Sequence, residues 1–324
     1  MKRIAILTSG GDSPGMNAAV RAAVRCGIDM GMEVYGIQRG YEGLLDGEIK
    51  KMEWHSVGDI LQRGGTILRT ARSSRFMEDE WVQHGAGILQ TFGIEGLMVI
   101  GGDGSYRGGR ELAKKGITVI GVPGTIDNDL AYTDFTIGFD TAVNTVLSMI
   151  SNIRDTSSSH ERTTIIEVMG RKCGDLALFS GLAGGADVIL VPEVKTDINT
   201  VCRKVLQGQA SGKVHSIIVM AEGADFSLSR LSDTLEEMTG RETRSVVPGY
   251  IQRGGSPSGQ DRLLASQAAA KAVELLYNDS DSRAVGIVRG EIVAEELGEA
   301  IDMKREFRRD LYDLAEVLGK GVID

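Results

Sequence analysis

The chain has 324 residues, of which 42% are hydrophobic and 25% are charged, and these values predict a globular protein of about two domains. Its formal net charge of -9 disfavours nucleic-acid binding, which requires a basic surface. The three cysteines show no metal-ligand spacing, no uncharged apolar run approaches membrane-spanning length, and the chain starts with a strand-like segment instead of a signal peptide. We therefore expect a cytoplasmic protein with reduced thiols and no membrane partner.

Strands and helices alternate along the whole chain. Short apolar runs predict strands over residues 4–8, 96–100, 117–122, 163–168, 188–191, 216–220 and 243–247. Helical spacing predicts helices over residues 16–30, 106–115, 139–155, 174–182, 197–208 and 260–278. A hairpin is expected over 284–295 and a charged closing helix over 304–318. This alternation predicts an α/β fold with parallel sheet between helices, and domain boundaries near Gly138 and near Gly254-Gly255.

Two polar turns follow neighbouring predicted strands and are the most informative segments of the chain. The first covers residues 101–105 and the second covers residues 123–129. They contain the carboxylates of Asp103, Asp127 and Asp129 beside glycines that allow close approach to the backbone. Such carboxylates suit a magnesium-bound polyphosphate and a hydroxyl that must lose a proton, so the pattern favours a sugar kinase.

A Gly-Gly-Asp sequence occurs twice, at residues 10–12 and 101–103, each time after a predicted strand. Turns after parallel strands lie along one sheet edge, so both could reach a single nucleotide. Each motif alone is about as often only a tight turn. Neither motif carries the lysine and hydroxyl of a P-loop, and no G-x-G-x-x-G follows a strand, so these two nucleotide-binding motifs are disfavoured.

Five motifs together resemble the bacterial ATP-dependent 6-phosphofructokinases, and the resemblance covers essentially the whole chain. The motifs are LTSGGD at 7–12, IGGDGS at 100–105, PGTIDND at 123–129, VMGR at 168–171 and IQRGGSP at 251–257. The resemblance implies two lobes, each a mainly parallel sheet sandwiched between helices in three layers. It implies an ATP-binding lobe from residues 1–138 with 252–304, a fructose 6-phosphate lobe from 139–251 with 305–324, and a homotetramer.

The implied reaction transfers the ATP γ-phosphoryl group to the 1-hydroxyl of fructose 6-phosphate, the committed step of glycolysis. Asp127 matches the catalytic base of the family, and Thr125 and Asp129 match neighbouring positions that set the geometry. Arg72 and Arg171 match arginines near the transferring phosphoryl group. Taken alone, Asp127 would more often form an Asx turn or helix cap, and Arg72 would be a solvated loop residue.

The resemblance also implies the nucleotide site and its metal. Asp103 matches the Mg²⁺ position, and the ATP-binding positions are Gly11, Tyr41, Arg72, Ser73, Gly102, Asp103, Gly104 and Ser105. Ser73 stands where relatives often carry a larger residue. Relatives that use pyrophosphate carry aspartate and lysine at the positions of Gly104 and Gly124, so the two glycines here predict ATP as the donor.

The resemblance also implies a set of residues that bind the sugar phosphate. Arg162, Arg244 and Arg253 match positions that grip the 6-phosphate, the first two across a subunit interface; as isolated residues they would be read as surface salt-bridge partners. The other matching positions are Thr125, Ile126, Met169, Gly170, Arg171, Glu222, Tyr250, Ile251 and Gln252. Tyr250 replaces the usual histidine and cannot add positive charge at neutral pH.

An effector site for nucleoside diphosphate or phosphoenolpyruvate is implied at a subunit interface. The matching positions are Arg21, Arg25, Arg154, Gly185, Ala186, Asp187, Lys213, Val214 and His215. Spacing alone is equally compatible with a solvated helical face at Arg21 and Arg25. Four positions near this site carry residue types that differ from those usual in the family: Trp54, Asp187, Ser211 and Val214. We therefore expect that nucleoside diphosphate and phosphoenolpyruvate change the activity weakly or unusually.

Two rival classes carry different expectations. Another kinase with a GGDG turn, such as an NAD or lipid kinase, would lack the paired TIDND and MGR motifs. A non-catalytic paralogue would have lost a base or metal ligand, whereas Asp103, Asp127 and Arg171 are all present.

Overall fold

The computed structural model describes residues 1–320, which fold into two compact units. Unit 1 comprises Met1–Ile126, Leu130–Thr141 and Arg253–Arg305. Unit 2 comprises Asp127–Asp129, Ala142–Gln252 and the remainder of the chain from Glu306. The predicted fructose 6-phosphate lobe ends at residue 324, and its residues 321–324 lie outside the described part of the chain.

Each unit contains one sheet. The strands in chain order are β1 Arg3–Thr8, β2 Glu33–Ile37, β3 Ile49–Met52, β4 Gly96–Gly101, β5 Thr118–Pro123, β6 Thr163–Val168, β7 Val188–Leu190, β8 Ser216–Ala221, β9 Thr243–Val246, β10 Arg283–Val288 and β11 Glu291–Glu296. Unit 1 has the order β11-β10-β5-β4-β1-β2-β3, which is parallel except for the antiparallel pairs β2–β3 and β10–β11 at its edges. Unit 2 has the order β7-β8-β6-β9, and its pairs are all parallel.

Helices connect the strands. They are α1 Met16–Asp29, α2 Gly40–Leu45, α3 Asp79–Thr91, α4 Asp103–Lys114, α5 Phe139–Ser159, α6 Asp175–Ala183, α7 Ile198–Ala210, α8 Leu228–Thr239, α9 Gly259–Tyr277, α10 Leu297–Asp302 and α11 Arg309–Leu318. No helix in residues 1–320 is long and apolar enough to cross a membrane.

The alternation of buried side chains along β1 explains the three layers of unit 1. Ile4 and Ile6 belong to a core shared with α1 and α9, whereas Ala5 and Leu7 belong to a second core shared with α2, α3 and α4. Successive strand residues point to opposite faces, so both faces of this sheet are buried, as is usual for parallel sheets. In unit 2, Ile165 and Met220 pack with α7 and α8, while Ile189 contacts Gly181 of α6 on the other face. The predicted α/β class with three layers is confirmed.

Several predicted boundaries were wrong. Helix α4 begins at Asp103, whereas the sequence predicted residue 106. Glycine is a poor helix former, so the segment with Gly102 and Gly104 was predicted to be a turn. The closing helix begins at Arg309 instead of residue 304. Residues 303–308 before it form neither helix nor strand, and Arg305 Nη1 donates a hydrogen bond to the Leu130 carbonyl at 3.1 Å.

Candidate functional site

The second Gly-Gly-Asp motif forms the start of a helix. Strand β4 ends at Gly101, Gly102 is the N-terminal cap of α4, and Asp103 is its first residue. The first backbone N–H groups of a helix have no intrahelical partner and carry partial positive charge, which suits a phosphate group. The half-exposed Asp103 carboxylate accepts a hydrogen bond from Arg107 Nε at 2.9 Å, so it is oriented from one turn further along α4.

Gly104 and Gly124 differ in what surrounds them. Gly104 is exposed in the first turn of α4, and a Cβ atom added there would meet nothing within 4 Å. A Cβ at Gly124 would lie 3.1 Å from Ile100 and 3.1 Å from Met16. Packing alone therefore favours glycine at position 124, whereas nothing in the described fold requires glycine at position 104.

The loop that carries Arg72 is fixed to the end of β1. The Thr8 hydroxyl donates to the Arg69 carbonyl at 2.8 Å, and the Thr70 hydroxyl donates to the Gly10 carbonyl at 2.8 Å. Arg253 belongs to the same unit, and its guanidinium carbon would lie 3.2 Å from a Cβ added at Gly11. Arg253, predicted to bind sugar phosphate, thus lies against a predicted ATP-binding glycine.

In unit 2, Asp127 is 6% exposed and its Oδ2 lies 3.4 Å from Nε of Arg171. The neighbouring Asn128 and Arg171 itself have positive φ angles of 52° and 54°. Such left-handed conformations are costly for residues other than glycine, less so for asparagine, and they concentrate at functional sites. The structure therefore brings the predicted base and a predicted phosphoryl-contacting arginine together in a constrained arrangement.

Asp175 supports this arrangement and was missed by the sequence analysis. It is buried at the first position of α6, and its Oδ2 accepts a hydrogen bond from the Asn128 side-chain amide at 2.9 Å. The contact joins residues 47 positions apart, so no local pattern indicates it. An acidic residue in a first helical turn was the available signal, and that signal alone indicates a helix start.

Two residues predicted to contact the substrate hold the backbone of the MGR segment in this structure. Glu222 Oε1 accepts a hydrogen bond from the Arg171 backbone N–H at 2.8 Å. Gln252 is fully buried, accepts from the Met169 backbone N–H at 3.1 Å and donates to the Gly249 carbonyl at 3.0 Å. Both ends of the Gln252 amide thus make a hydrogen bond within unit 2, and these bonds position the segment.

Two of the three arginines predicted to grip the sugar phosphate lie together at one end of β6 and β9. Arg162 and Arg244 both form ion pairs with Glu242. The Arg162 hydrogen bond is the main reason that the pKa of Glu242 lies below its usual range. Two further predicted sugar contacts, Tyr250 and Ile251, are 78% and 63% exposed. Ile126, another predicted contact, is buried in unit 1, so any contact there involves its backbone.

The predicted effector residues of unit 2 also lie together. Arg154 donates to the Gly184 and Gly185 carbonyls at 2.6 and 2.9 Å and lies 3.3 Å from Nε2 of His215. Burial and the Arg154 charge lower the pKa of His215. Lys213 Nζ lies 2.6 Å from Asp187 Oδ1, and Asp187 Oδ2 accepts from the Ile217 N–H at 2.8 Å.

The predicted effector residues of unit 1 lie on α1. Arg21 and Arg25 are both partly exposed, and the Arg25 guanidinium lies over the Trp54 ring at 4.9 Å from its centroid. Trp54 therefore contributes an aromatic face to this surface where the family pattern has a basic residue.

Within residues 1–320, no group of three or more His, Cys, Asp or Glu side chains is arranged to hold a metal ion. A lone, oriented carboxylate at Asp103 fits Mg²⁺ nevertheless, because this ion usually takes one or two protein carboxylates together with waters and substrate phosphates.

The chain is similar to known proteins over nearly its whole length. A family model described as phosphofructokinase matches residues 3–276. The ATP-dependent 6-phosphofructokinase of Clostridium botulinum (strain Loch Maree / Type A3) is 56% identical over 320 residues, covering 99% of this chain and 100% of that protein.

Solved structures agree on the fold. Phosphofructokinase from Saccharomyces cerevisiae matches with a TM-score of 0.89 and 35% identity over 98% of this chain; the match covers 47% of that longer chain, so this chain spans about half its length. A pyrophosphate-dependent phosphofructokinase from Marinobacter aquaeolei matches with a TM-score of 0.86, covering 99% of this chain and 92% of that one, at 22% identity. At that identity the likeness shows the fold alone and does not distinguish the phosphoryl donor.

Proposed function

The chain belongs to the phosphofructokinase family, and we propose that it transfers the γ-phosphoryl group of ATP to the 1-hydroxyl of fructose 6-phosphate. The products are fructose 1,6-bisphosphate and ADP, and the reaction is the committed step of glycolysis. The observation that carries this proposal is the buried Asp127 carboxylate held 3.4 Å from the Arg171 guanidinium, a base beside a cation in a constrained loop.

Asp127 accepts the proton of the 1-hydroxyl as the sugar oxygen forms its bond to the γ-phosphorus. The bond between the γ-phosphorus and the β-γ bridging oxygen breaks, and ADP leaves with that oxygen. Arg171 and Arg72 offer planar, charged donors to the transferring group, whose equatorial oxygens carry the negative charge. Thr125 and Asp129 flank Asp127 in sequence and help set its geometry.

The nucleotide is held by unit 1. We assign its polyphosphate to the turn of Gly102, Asp103, Gly104 and Ser105 at the start of α4, together with Gly11 and the Arg72–Ser73 loop. Asp103 would hold Mg²⁺, which when bound neutralises charge on the nucleotide phosphates. ATP is the donor because the open space at Gly104 accommodates a nucleotide phosphate without a competing carboxylate.

The sugar phosphate is held by arginines. Arg162 and Arg244 both form ion pairs with the Glu242 carboxylate. Because these two guanidinium groups already converge on anionic oxygens, the pair supports binding of the 6-phosphate. We also assign Arg253 to the 6-phosphate and Met169, Gly170 and Glu222 to the sugar, as the family motifs imply.

The assembly and its control remain proposals. We assign a homotetramer with Arg162 and Arg244 contributed across an interface, and a cytoplasmic location. A weak response to nucleoside diphosphate or phosphoenolpyruvate is supported by Asp187, whose two oxygens already accept Lys213 and the Ile217 N–H. The lowered pKa of His215 supports it too, since a neutral imidazole adds no positive charge to an effector-phosphate site.

A coupled assay tests the reaction and its donor. The purified protein is given fructose 6-phosphate and Mg²⁺ with either ATP or pyrophosphate, and fructose 1,6-bisphosphate is measured through aldolase. We expect turnover with ATP that exceeds turnover with pyrophosphate by at least about a hundredfold. Pyrophosphate-dependent turnover that equals or exceeds the ATP rate would overturn the donor assignment, and no turnover with either donor would overturn the reaction.

A further inference from the structure

Asn17 is a buried polar residue in the apolar first turn of α1. It is the second residue of the helix and is only 1% exposed. Its neighbours along the chain, Met16, Ala18, Ala19 and Val20, are all buried apolar residues. Burying an amide costs free energy unless its polar atoms find partners, so the partners of Asn17 indicate what it does.

The Asn17 side chain makes three hydrogen bonds to the backbone of segment 63–67. Its Nδ2 donates to the Arg63 carbonyl at 3.1 Å and to the Gly64 carbonyl at 3.2 Å. Its Oδ1 accepts from the Ile67 N–H at 2.8 Å. Residues 61–73 form neither helix nor strand, so no regular ladder of backbone hydrogen bonds fixes them. One side chain therefore holds both ends of segment 63–67 against α1.

The segment that Asn17 holds leads to Arg72. The Thr66 hydroxyl lies 2.9 Å from the Thr8 hydroxyl, which in turn donates to the Arg69 carbonyl at 2.8 Å. Arg69 has a positive φ of 57°, a conformation that is costly for residues other than glycine and persists only where the surroundings fix it. The Arg72 side chain is exposed, so its direction depends on the backbone that these contacts hold.

The same segment contacts the loop that follows Arg253. A Cβ atom added at Gly64 would overlap the Gly255 carbonyl oxygen, so the two backbones touch. The Ser256 hydroxyl donates to the Gln62 carbonyl at 2.8 Å. Within unit 1 the segment is thus fixed by contacts from α1, from the end of β1 and from this loop.

We propose that Asn17 is a positioning residue that fixes segment 63–67 and, through it, the direction of the Arg72 guanidinium. This inference rests on the proposed function, in which Arg72 donates to the transferring phosphoryl group. An exposure of 1% leaves Asn17 no surface for a substrate, so it acts through the backbone. The consequence is that a change at Asn17 lowers turnover by displacing Arg72.

Asn17→Asp tests the proposal by steady-state kinetics at saturating ATP and fructose 6-phosphate. The charged carboxylate keeps the size of the side chain and can accept from the Ile67 N–H, but it has no hydrogen to donate to the Arg63 and Gly64 carbonyls. We expect kcat to fall about tenfold, since a displacement of about 1 Å costs on the order of 10²-fold and a partial displacement costs less. An unchanged kcat would overturn the proposal.

A double-mutant cycle with Arg72→Ala shows whether Asn17 acts through Arg72. Once the guanidinium is removed, its direction no longer matters, so Asn17→Asp should lower the kcat of the Arg72→Ala variant by less than about twofold. A general loss of stability would instead lower kcat by the same factor with and without Arg72. Equal losses in the two backgrounds would therefore contradict the proposal.

Val273→Ala is the matched control for stability. Val273 is fully buried in α9 and belongs to the same hydrophobic core as Met16, and no contact described here joins it to segment 63–67. The cavity that alanine leaves should lower the melting temperature while kcat stays within about twofold. A tenfold fall in kcat for this control would show that lost stability alone accounts for the effect of Asn17→Asp.

Amide hydrogen exchange follows the segment without using activity. Peptides covering residues 61–73 should exchange at least about fivefold faster in Asn17→Asp than in the wild type, whereas peptides covering α4 should be unchanged. Unchanged exchange in residues 61–73 would overturn the proposal, and an inactive wild-type protein would count against the proposed reaction instead. Should Asn17→Asp fail to fold, Thr66→Val, which removes the hydroxyl that meets Thr8, carries the same tests.

Discussion

Replacing Gly104 by aspartate should raise the stability of the protein and lower its activity with ATP. Gly104 is exposed in the first turn of α4, and a Cβ atom there would meet no other group within 4 Å. Glycine is a poor helix former, and a carboxylate near a helix N-terminus is favourable. Gly104→Asp should therefore stabilise unit 1 by about 0.5–1 kcal/mol, the sum of about 0.3 from helix propensity and 0.3 or more from the helix dipole. The melting temperature should rise by roughly 1–3 °C.

The same carboxylate should repel the nucleotide. Two like charges 4 Å apart at a protein surface interact by up to about 4 kcal/mol, and solvent exposure at this turn reduces that by roughly half. A penalty of about 2 kcal/mol corresponds to about a 30-fold loss in kcat/KM for ATP. The variant is thus expected to be more stable and less active, which a packing defect cannot produce.

Gly104→Ala is the matched control, because alanine brings the helix gain without the charge. Calorimetric melting and steady-state kinetics with ATP are measured for the wild type and both variants. Alanine should keep kcat/KM within about threefold. The reasoning fails if the aspartate variant keeps its ATP activity within threefold, or if alanine loses as much activity as aspartate, since size and not charge would then be responsible.

Three other outcomes follow from the unit 2 contacts. Asp127→Ala should lower kcat by about 10³–10⁴-fold while calorimetry shows sugar and nucleotide binding retained; near-normal turnover would remove Asp127 from the role of base. Asp175→Asn weakens the hydrogen bond from Asn128 and should lower kcat about fivefold to tenfold at unchanged substrate affinity, and an unchanged kcat would show that this contact does not orient the base. The folded pKa of His215 lies below its unfolded value of 6.5, so the stability it contributes is present above pH 6.5 and lost as the pH falls through the folded pKa. Denaturant unfolding of His215→Gln should accordingly show a smaller drop in unfolding free energy between pH 7.5 and pH 5.5 than the wild type, and an equal drop would contradict the assignment.

The elements that were predicted well are those whose signal is local. Strand β6 was placed at its observed bounds because five of the six residues of Thr163–Val168 are β-branched, Glu167 being the exception, and the run directly follows helix α5 in the chain. The hairpin of β10 and β11 was recognised from Arg289-Gly290, which lie between two apolar runs and both have positive φ.

The features that were missed depend on contacts between distant parts of the chain. The first turn of α4 is helical although Gly104 within it disfavours helix. The same helix packs through Gly108 against Tyr41, which precedes it by 67 residues in the chain. The Asn128–Asp175 contact likewise joins two motifs that look independent in sequence. Motifs therefore predicted that Asp127 and Arg171 belong to one site, and the structure places them 3.4 Å apart, whereas the contact of Asp175 beside them required the structure.

The two glycines assigned to donor choice do not act alike. Position 104 is open, so a carboxylate there costs the fold nothing and acts only on the ligand. Position 124 is closed by Ile100 and Met16, so a lysine there must displace packed atoms before it can replace the charge role of a nucleotide phosphate. A change at position 104 alone should therefore weaken ATP use, by about the 30-fold worked out above, without creating pyrophosphate use, because a compensating side chain at position 124 requires Ile100 and Met16 to move. A change of donor in this chain would therefore need a substitution at each position together with small shifts of Ile100 and Met16, and this double requirement favours ATP as the donor.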